Sequence, residues 1–533
     1  MPASDPWVLA IDMGTSAVKT ALVSSRGEVA SVQTRPITTK LLPGGGAEQD
    51  PHEWWAMVRS AARDSVAGAP DLAHKVAAVA CTTQWAVTVP VDAHGNPLGP
   101  AISWMDTRGA PYVSQVVRGW PSVSGYAAYK LYTWIRLTGG APSRSGMDGL
   151  GHLLFFKHER PDLYRAAYKF VEPMDYLNAR LTGRVAASYG TMFPYWLTDI
   201  RNPRRVAYHP QLLAWAGIEQ EKLPPLQPVD SVLGPLLPHV AEELGLKPDT
   251  VVVMGSCDGH SAAIGAGSVR DFVGYFYVGT TAWMSCHVPW KRSDLRHMLT
   301  TMPAAIAGRY VVAAEQGMAG RCLEFLKDSL LLPPGDPTVA PATDPYAYLN
   351  DLAASVPPGS DNLLFTPWIN GVLVPADDPW TRSAFLNQSH RTTRAHYVRA
   401  VMEGVAFNMR WLRHHVQKFV GKTFPDLRFI GGGAVSDLWC QIFADVLGCP
   451  ILRPAHPRVA NAVGAAFAAF VALGVLAPEE LEGRVAIDRT FQPTPATRAL
   501  YDELYGEFLA AYRQLRPLYH RLNRKRRAEP QAQ

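Results

Sequence analysis

Apolar runs near the start of the chain alternate with segments of helical spacing. Residues Val8–Thr39 are β-rich, with a hairpin turn predicted at 25–27. Asp50 followed by Pro51 is typical of a helix N-cap and first turn, which predicts a helix to about Val66. The elements predicted after it are strands at Val76–Cys81, Val87–Val91 and Ala101–Trp104, helical segments over Lys130–Leu181, a strand at Thr250–Met254 and a small-residue helix at Gly259–Gly267.

The second half of the chain repeats this order. The elements predicted there are a hairpin around Gly279-Thr280, strands near Tyr310–Ala314 and at Leu427–Ile430, a helix ending at Leu447 and a second small-residue helix at Asn461–Val475. Strands alternating with helices predict an α/β protein with sheets covered on both faces. We expect the two small-residue helices to lie against each other at the domain junction. The proline-rich stretch Pro333–Pro345 is predicted to be a surface loop or the edge of an insertion.

A long helix is predicted from about Arg394 to Phe419. Its apolar residues recur at alternating spacings of four and three: Val398, Met402, Val405, Met409, Leu412, Val416 and Phe419. A coiled-coil seam has this spacing, but Val401, Ala406 and Phe407 widen the apolar face. The wider face favours a core helix of a large domain.

Two Gly-Thr turns are the most informative polar features. In the first, an apolar strand brings Asp12 into the turn Gly14-Thr15-Ser16, and a second strand follows. In the second, Gly279-Thr280-Thr281 stands between two strands, with Val278 where the first copy has Asp12. Because glycine admits close approach and turn N–H groups and hydroxyls bind phosphate oxygens, the pair indicates two duplicated halves facing each other across a phosphate. This arrangement is typical of the two-domain, actin-like (ribonuclease H-like) ATPase fold with a nucleotide cleft.

Composition narrows the class of protein. The 533 residues are too many for one ordinary core, and the net charge of +5 is partly carried by the basic tail 521–527. We expect that tail to be a solvated end, and no nucleic-acid partner. The six cysteines show no metal-ligand spacing and the chain starts without a signal-peptide pattern, so a reducing cytoplasm is expected. The uncharged run Ala462–Ala477 is too short to span a bilayer and predicts a buried helix.

Asp258 is the candidate catalytic residue. It stands where an apolar strand stops and a helix begins, the place from which α/β folds present functional groups, although an Asp there is also a routine N-cap. Phosphoryl transfer to a hydroxyl needs a carboxylate to receive the proton and cations to neutralise the phosphate. Asp12 is then the expected Mg²⁺ anchor, and Lys19 is either a phosphate ligand or a solvated strand residue. The glycines at 431–433 suit either a flat ring packed on the backbone or a tight turn.

Together these segments resemble the FGGY-type carbohydrate kinases, and in particular the xylulokinases. The motifs that carry the resemblance run in family order from about residue 8 to 478: the Asp12 turn, 48–55, Trp104-Met-Asp106-Thr-Arg108, 173–183, Gly255-Ser-Cys-Asp258, Gly279-Thr-Thr281 and 431–441. The resemblance implies ATP and Mg²⁺ as cofactors, Asp258 as the base and sugar contacts from Gln84, Trp85, Ala86, Trp104 and Asp106. It implies ATP contacts from Gly14, Thr15, Ser16, Lys19, Gly279, Thr280, Thr281, Gly432, Gly433, Ala434 and Asp437. The expected domains are 1–264, 265–480 and a helical extension with a basic tail, 481–533.

Two departures from the family pattern bear on specificity. Where xylulokinases carry Gln-Met-His, this chain has Gln84-Trp85-Ala86, and Ala86 cannot donate a hydrogen bond to a hydroxyl. The segment 130–153 is longer than its family counterpart and is expected either to cover the pocket or to form the interface of a homodimer. D-Xylulose is the leading expected substrate. The alternatives are ribulose, gluconate, glycerol or a related polyol, or a catalytically silent nucleotide-binding sensor.

Overall fold

The computed structural model describes residues 5–331 and 344–524. Its helices of seven or more residues within these ranges are Pro51–Ala67, Ala110–Val117, Ala128–Thr138, Gly149–Glu159, Pro173–Thr182, Pro210–Ala216, Pro238–Leu244, Asp258–Gly265, Gly320–Leu326, Pro345–Ala354, Arg394–Val420, Asp437–Leu447, Ala460–Ala472 and Arg498–Arg524. In the described part of the chain, no helix is long and apolar enough to cross a membrane.

Two six-stranded sheets share one strand order. The first sheet runs, in spatial order, Val232–Pro235, Val251–Val253, Val76–Thr83, Trp7–Met13, Ala17–Ser24 and Val29–Pro36. The second sheet runs Ile487–Phe491, Ile451–Pro454, Leu427–Ile430, Tyr275–Val278, Ala282–Ser285 and Glu315–Gln316. In both, the three central strands are parallel and the outer pairings antiparallel. The predicted duplication is therefore confirmed at the level of topology.

The two small-residue helices, Asp258–Gly265 and Ala460–Ala472, are called the junction helices below. They pack together so closely that a Cβ on Gly265 would lie 1.7 Å from the Ala460 carbonyl oxygen. A Cβ on Gly464 would lie 1.9 Å from the Ser261 carbonyl oxygen. The predicted contact between these helices is confirmed. Glycine at these two positions lets the backbones meet, because any side chain would occupy the space between them.

Each junction helix also packs against residues of the other half. Ala262 and Ala263 of the first one belong to the same apolar core as Tyr275 and Phe276 of the second sheet. Phe467 and its neighbours in Ala460–Ala472 lie in one cluster with Val8 and Ala10 of the first sheet. The apolar run predicted to be a buried helix is thus confirmed as one, and it covers a face of the opposite sheet.

Most other predicted elements are found close to their expected bounds. The Asp50 side chain accepts a hydrogen bond of 2.8 Å from His52 N and caps the helix as predicted. Val401, Ala406 and Phe407 are buried, so the long helix Arg394–Val420 is a core helix. The proline-rich segment falls almost entirely outside the described residues, as does the end of the basic tail.

Two sequence-based bounds were wrong. The strand expected at Val87–Val91 is only Val89–Val91, because Ala86 adopts a left-handed turn, with φ 56°, just before it. The strand expected at Ala101–Trp104 ends at Ile102. Helical segments make up most of 130–181, as predicted, and the short strand Lys169–Val171 between two of them pairs with Val89–Val91.

Candidate active site

Asp258 follows the first-sheet strand Val251–Val253 and is the first residue of a junction helix. Gly255 turns the chain there with φ 75°, and a Cβ on it would lie 2.6 Å from the Cys81 carbonyl oxygen. The N-cap residue is Cys257, so Asp258 is not the N-cap of this helix. Asp258 Oδ1 accepts a hydrogen bond of 2.7 Å from Gly259 N. The carboxylate therefore stands at the positive end of a helix, at the carboxyl edge of a sheet.

The electrostatic surroundings make Asp258 a stronger base than an ordinary aspartate. Removal from water, with smaller contributions from the negative charges of Asp12 and Glu315, raises its pKa to about 7. The Gly259 N–H and Lys19 oppose this rise. A carboxylate with a pKa near neutrality can accept a proton in the working range of an enzyme.

Asp12 lies at the mouth of the first Gly-Thr turn. Its register partner on the neighbouring strand is Lys19, whose Nζ is 3.9 Å from Asp12 Oδ2. Burial raises the pKa of Asp12, while Lys19 and a hydrogen bond from the Asn461 side chain oppose the rise. Asn461 lies in the junction helix Ala460–Ala472. Asp12 is thus reached by groups from both halves.

The turn beyond Asp12 is closed by a hydrogen bond of 3.0 Å from Gly14 N to the Ala17 carbonyl oxygen. Thr15 Oγ1 accepts a hydrogen bond of 3.1 Å from Trp104 Nε1, and Ser16 is exposed at the tip. Trp104 therefore links the segment expected to hold sugar to the segment expected to hold phosphate.

The second Gly-Thr turn is tighter than the first, because its closing hydrogen bond spans two residues and not three. Gly279 N donates to the Thr281 carbonyl oxygen at 2.9 Å, and the Gly279 carbonyl oxygen accepts from Gly320 N at 2.8 Å. Thr280 is exposed. Beneath the turn, the rings of Tyr277 and Trp283 stack with centroids 3.9 Å apart.

Tyr277 shows that this turn faces the carboxylates of the first half. Burial raises the pKa of the Tyr277 hydroxyl, and the charges of Asp12 and Asp258 raise it further. The donor set fits Mg²⁺ bound to a nucleotide, because two hard, partly buried carboxylates stand between turns that offer N–H groups and hydroxyls. A bound Mg²⁺ would neutralise phosphate charge, with Asp12 as its expected protein anchor.

The glycine loop after Leu427–Ile430 divides into residues with different tasks. Gly431 has φ 97°, and its Cβ position is 2.5 Å from the Val278 carbonyl oxygen. A Cβ on Gly433 would lie 3.0 Å from Val278 Cγ1, so Gly433 faces packed protein. Gly432 is exposed, and nothing lies within 4 Å of its Cβ position. Of the glycines expected to contact adenosine, Gly432 has the open surface on which a ring can pack.

The other two residues expected at the adenosine site are already engaged by protein. Ala434 is fully buried. The Asp437 carboxylate pairs with Arg453 and Arg489, and Arg453 in turn pairs with Asp488. Asp437 is therefore part of an ion-pair network at the start of the helix Asp437–Leu447.

The acceptor loop, residues 84–86, is tightly held. Gln84 Nε2 donates a hydrogen bond of 2.6 Å to Gln49 Oε1, and Gln49 Nε2 donates to the Thr15 carbonyl oxygen at 2.9 Å. Gln84 Oε1 is buried without a hydrogen-bond partner among the described residues. A sugar hydroxyl would supply a donor for this oxygen.

Trp85 is fixed by three contacts. Its Nε1 donates to the Thr191 carbonyl oxygen at 3.1 Å, its ring stacks on Phe193 with centroids 5.5 Å apart, and the His260 ring lies 5.8 Å away. His260 is buried, and neither ring nitrogen has a partner in the described part of the chain. Beside Asp258, the Cβ position of Gly259 meets open space. Trp85 and Phe193 thus form an aromatic wall at the acceptor loop, next to the His260 ring.

Asp106 does not present a free carboxylate. It is buried and accepts hydrogen bonds of 2.9 Å from Ala47 N and from the Arg108 N–H groups. Arg108 also pairs with Glu48 at 2.7 Å. This geometry favours a role in holding the loop that carries Trp104 over direct contact with a sugar.

The long segment 130–153 is joined to the second half. The Gly139 carbonyl oxygen, at the end of helix Ala128–Thr138, accepts hydrogen bonds from Ser293 Oγ at 2.5 Å and Thr300 Oγ1 at 2.7 Å. Lys291 Nζ donates to the Ile135 carbonyl oxygen at 2.9 Å. The helix therefore bridges to the small antiparallel sheet that contains Leu299–Pro303.

Four residues near the site were missed from the sequence: Asn461, Tyr277, Glu315 and Glu172. Asn461 had a readable signal, since it is a polar residue at the start of an otherwise apolar helix. Tyr277 and Glu315 lie on strands of the second sheet. Their proximity to the first half depends on how the two halves pack together, which local sequence does not show.

The duplicated sheets, the facing turns and the carboxylate at the helix start define the two-domain, actin-like ATPase fold. Residues 7–265 match the N-terminal domain of the FGGY family of carbohydrate kinases, and residues 275–473 match its C-terminal domain. The chain belongs to this family and is a sugar kinase.

Relatives with different activities are similar to it over nearly the whole length. A xylulose kinase from Staphylococcus epidermidis is 27% identical over 514 residues, covering 96% of this chain and 97% of the relative. An autoinducer-2 kinase from an Enterobacter species is 26% identical over 522 residues, covering 95% and 94%. The crystal structure of xylulose kinase from Rhodospirillum rubrum superposes with a TM-score of 0.77 at 27% identity, covering 96% of this chain and all of that one.

Proposed function

We propose that this protein transfers the γ-phosphoryl group of Mg-ATP to a hydroxyl of a ketose or polyol, with D-xylulose as the first candidate acceptor. The observation that carries the proposal is Asp258, a carboxylate at a helix start whose pKa is raised to about 7 by burial and by the facing charge of Asp12. Such a group can take the acceptor's proton as the hydroxyl oxygen attacks phosphorus.

The remaining residues have supporting tasks. The turns at Gly14-Thr15 and Gly279-Thr280 hold phosphate oxygens through N–H groups and hydroxyls, and Lys19 contributes positive charge. Gln84 orients the acceptor, since its buried Oε1 awaits a donor. Closure of the two halves excludes water, which would otherwise compete with the sugar hydroxyl for phosphoryl transfer.

A second acceptor has a specific observation in its favour. In the acceptor loop, the Trp85 ring lies against Phe193 and against His260 of the helix that Asp258 begins, and Ala86 offers no polar side chain to a fully hydroxylated sugar. A relative of similar identity is an autoinducer-2 kinase. Autoinducer-2 is therefore the second candidate substrate.

The test is acceptor-stimulated release of ADP by the purified protein. The panel is D-xylulose, ribulose, gluconate, glycerol and autoinducer-2, with Asp258→Asn as the inactive control. The kcat/KM for one acceptor should be at least about a hundredfold higher than for the others. The Asp258→Asn variant should not turn that acceptor over. If no acceptor stimulates ADP release while ATP still binds, the protein is a nucleotide-binding sensor, and the proposal is wrong.

A further inference from the structure

The turn at Ala86 needs something to hold it. Its φ of 56° lies in the left-handed region, which a residue with a Cβ adopts only at a cost. The turn sets the direction of Gln84 and Trp85, the side chains expected to meet the acceptor. Whatever stabilises it therefore also controls the acceptor loop.

Glu172 lies beneath this turn. Its Oε2 accepts a hydrogen bond of 3.2 Å from Val87 N, and the Ala86 N–H also stabilises the carboxylate. Glu172 is 1% exposed, and its Oε1 has no well-formed hydrogen bond among the described residues. Glu172 directly precedes the helix Pro173–Thr182, which lies in one of the segments that resemble the family.

The same carboxyl group is also close to the start of the junction helix Asp258–Gly265. Its charge helps to raise the pKa of the Cys257 thiol, after the larger effects of burial and Asp258. Within the part of the chain that is described, no Lys, Arg or His forms an ion pair with it. Burial accordingly raises the pKa of Glu172 well above its ordinary value, with a smaller contribution from Asp175. Burying a carboxyl group without an ion-pair partner costs free energy, and an apolar side chain would fill the space without that cost. The hydrogen bond to the backbone of the acceptor loop indicates that Glu172 positions that loop.

We propose that Glu172 is a positioning residue for acceptor binding: its carboxyl group holds the Ala86–Val87 backbone in the left-handed turn that directs Gln84 and Trp85 toward the sugar. Glu172 does not touch the substrate. The inference rests on the proposed function for its kinetic readout only, because the conformation of the turn can be measured without a substrate.

The test compares Glu172→Leu, which removes the acceptor oxygen, with Glu172→Gln, which keeps one. The acceptor that is turned over best is the probe, and D-xylulose is used first. Glu172→Leu should raise KM for the acceptor about tenfold or more, lower kcat less than that, and change KM for ATP less than twofold. Glu172→Gln should stay within about threefold of the wild type, since the amide oxygen can still accept from Val87 N.

The matched control is Tyr176→Phe on the same helix. It removes a buried hydrogen bond of 2.9 Å to the Pro51 carbonyl oxygen, away from the acceptor loop. It should therefore cost stability without changing KM for the acceptor. A rescue variant adds Ala86→Gly to Glu172→Leu. Glycine adopts φ 56° without strain, so it should recover a large part of the lost acceptor affinity.

Hydrogen exchange of the 84–88 amides supplies the measurement that needs no substrate. Exchange should be about tenfold faster or more in Glu172→Leu than in the wild type, and near wild type in Glu172→Gln. Unchanged exchange and unchanged acceptor KM in Glu172→Leu would overturn the inference, as would an equal rise in KM for ATP. If the wild type turned over no acceptor, the proposed function would fail, and exchange alone would still decide whether Glu172 holds the turn.

Discussion

Asp12 and Asp258 belong to two different strand ends of the first sheet, and the charge of Asp12 raises the pKa of Asp258. Each carboxylate is partly shielded from water, so the repulsion between them is weakly screened. A bound divalent cation would relieve it. The pair explains how one aspartate can be a base while the other stays available as a metal anchor.

The first prediction concerns pH. Because Asp258 acts as a base only when ionised, and its pKa is about 7, kcat/KM should fall as the pH drops through about 7. Glu315→Gln removes a charge that raises this pKa and should move the acid limb of the profile to lower pH. The exposed Asp249→Asn is the control and should leave the profile in place. An acid limb near pH 4 in the wild type would rule out this base.

The second prediction is that Asp258→Asn abolishes turnover and keeps ATP binding. A general base contributes about 10²–10⁴-fold, so kcat should fall by that range. The amide keeps the size of the side chain, so calorimetry should find ATP affinity within about threefold of the wild type. Retention of more than a tenth of kcat would remove Asp258 from the mechanism.

The third prediction separates two neighbouring glycines. Gly432→Val places a side chain over the open surface and should weaken ATP binding about tenfold or more without lowering the Tm. Gly433→Val instead meets Val278 and should lower the Tm. Titration of ATP and acceptor with both variants, beside thermal unfolding, tells the two effects apart. Normal ATP affinity in Gly432→Val would place adenosine elsewhere.

The fourth prediction concerns Ala86. Histidine tolerates φ 56° better than most residues, so Ala86→His should fit the turn and add one polar contact. The contact is worth roughly 0.5–1.5 kcal/mol, so kcat/KM for D-xylulose should rise a few-fold to about tenfold. Because Trp85 is packed on Phe193, the double change Trp85→Met with Ala86→His opens a cavity and serves only as a comparison. Efficient turnover of D-xylulose by the wild type, with loss in Ala86→His, would show that the pocket recognises the sugar by another route.

The fifth prediction addresses the junction helices. Gly265→Ala forces a Cβ against the Ala460 carbonyl oxygen and should lower the free energy of unfolding by about 1–3 kcal/mol or more. Gly506→Ala, at an exposed position inside the helix Arg498–Arg524, has nothing within 4 Å and should raise it by up to about 1 kcal/mol. Thermal unfolding of both variants provides the comparison. Equal stability of the two would mean that the helices separate easily.

The sequence allowed prediction of those parts that depend on local pattern. The strand Leu427–Ile430, the Asp50 cap and the closely packed glycine helices follow from spacing and residue type alone. Tertiary contacts decided the rest. Gly433 packs against Val278, and Asp437 pairs with two arginines. Both contacts involve residues that are distant in sequence. The left-handed conformation of Ala86 could not be predicted for the same reason. The carboxylate that bonds the next residue belongs to Glu172, which is distant in sequence.

The crossing of the junction helices fixes the kind of motion that the cleft allows. Three segments connect this helix pair to the second sheet, 266–274, 455–459 and 473–486, and the first two adjoin the contact between Gly265 and Ala460. A sliding motion of one half past the other would drive backbone into backbone at Gly265 and Gly464. We therefore expect the cleft to open and close as a hinge about the pair of small-residue helices. Asp258 begins one of these helices and Asn461 of the other bonds Asp12, so both carboxylates would lie close to the axis, where displacement is smallest.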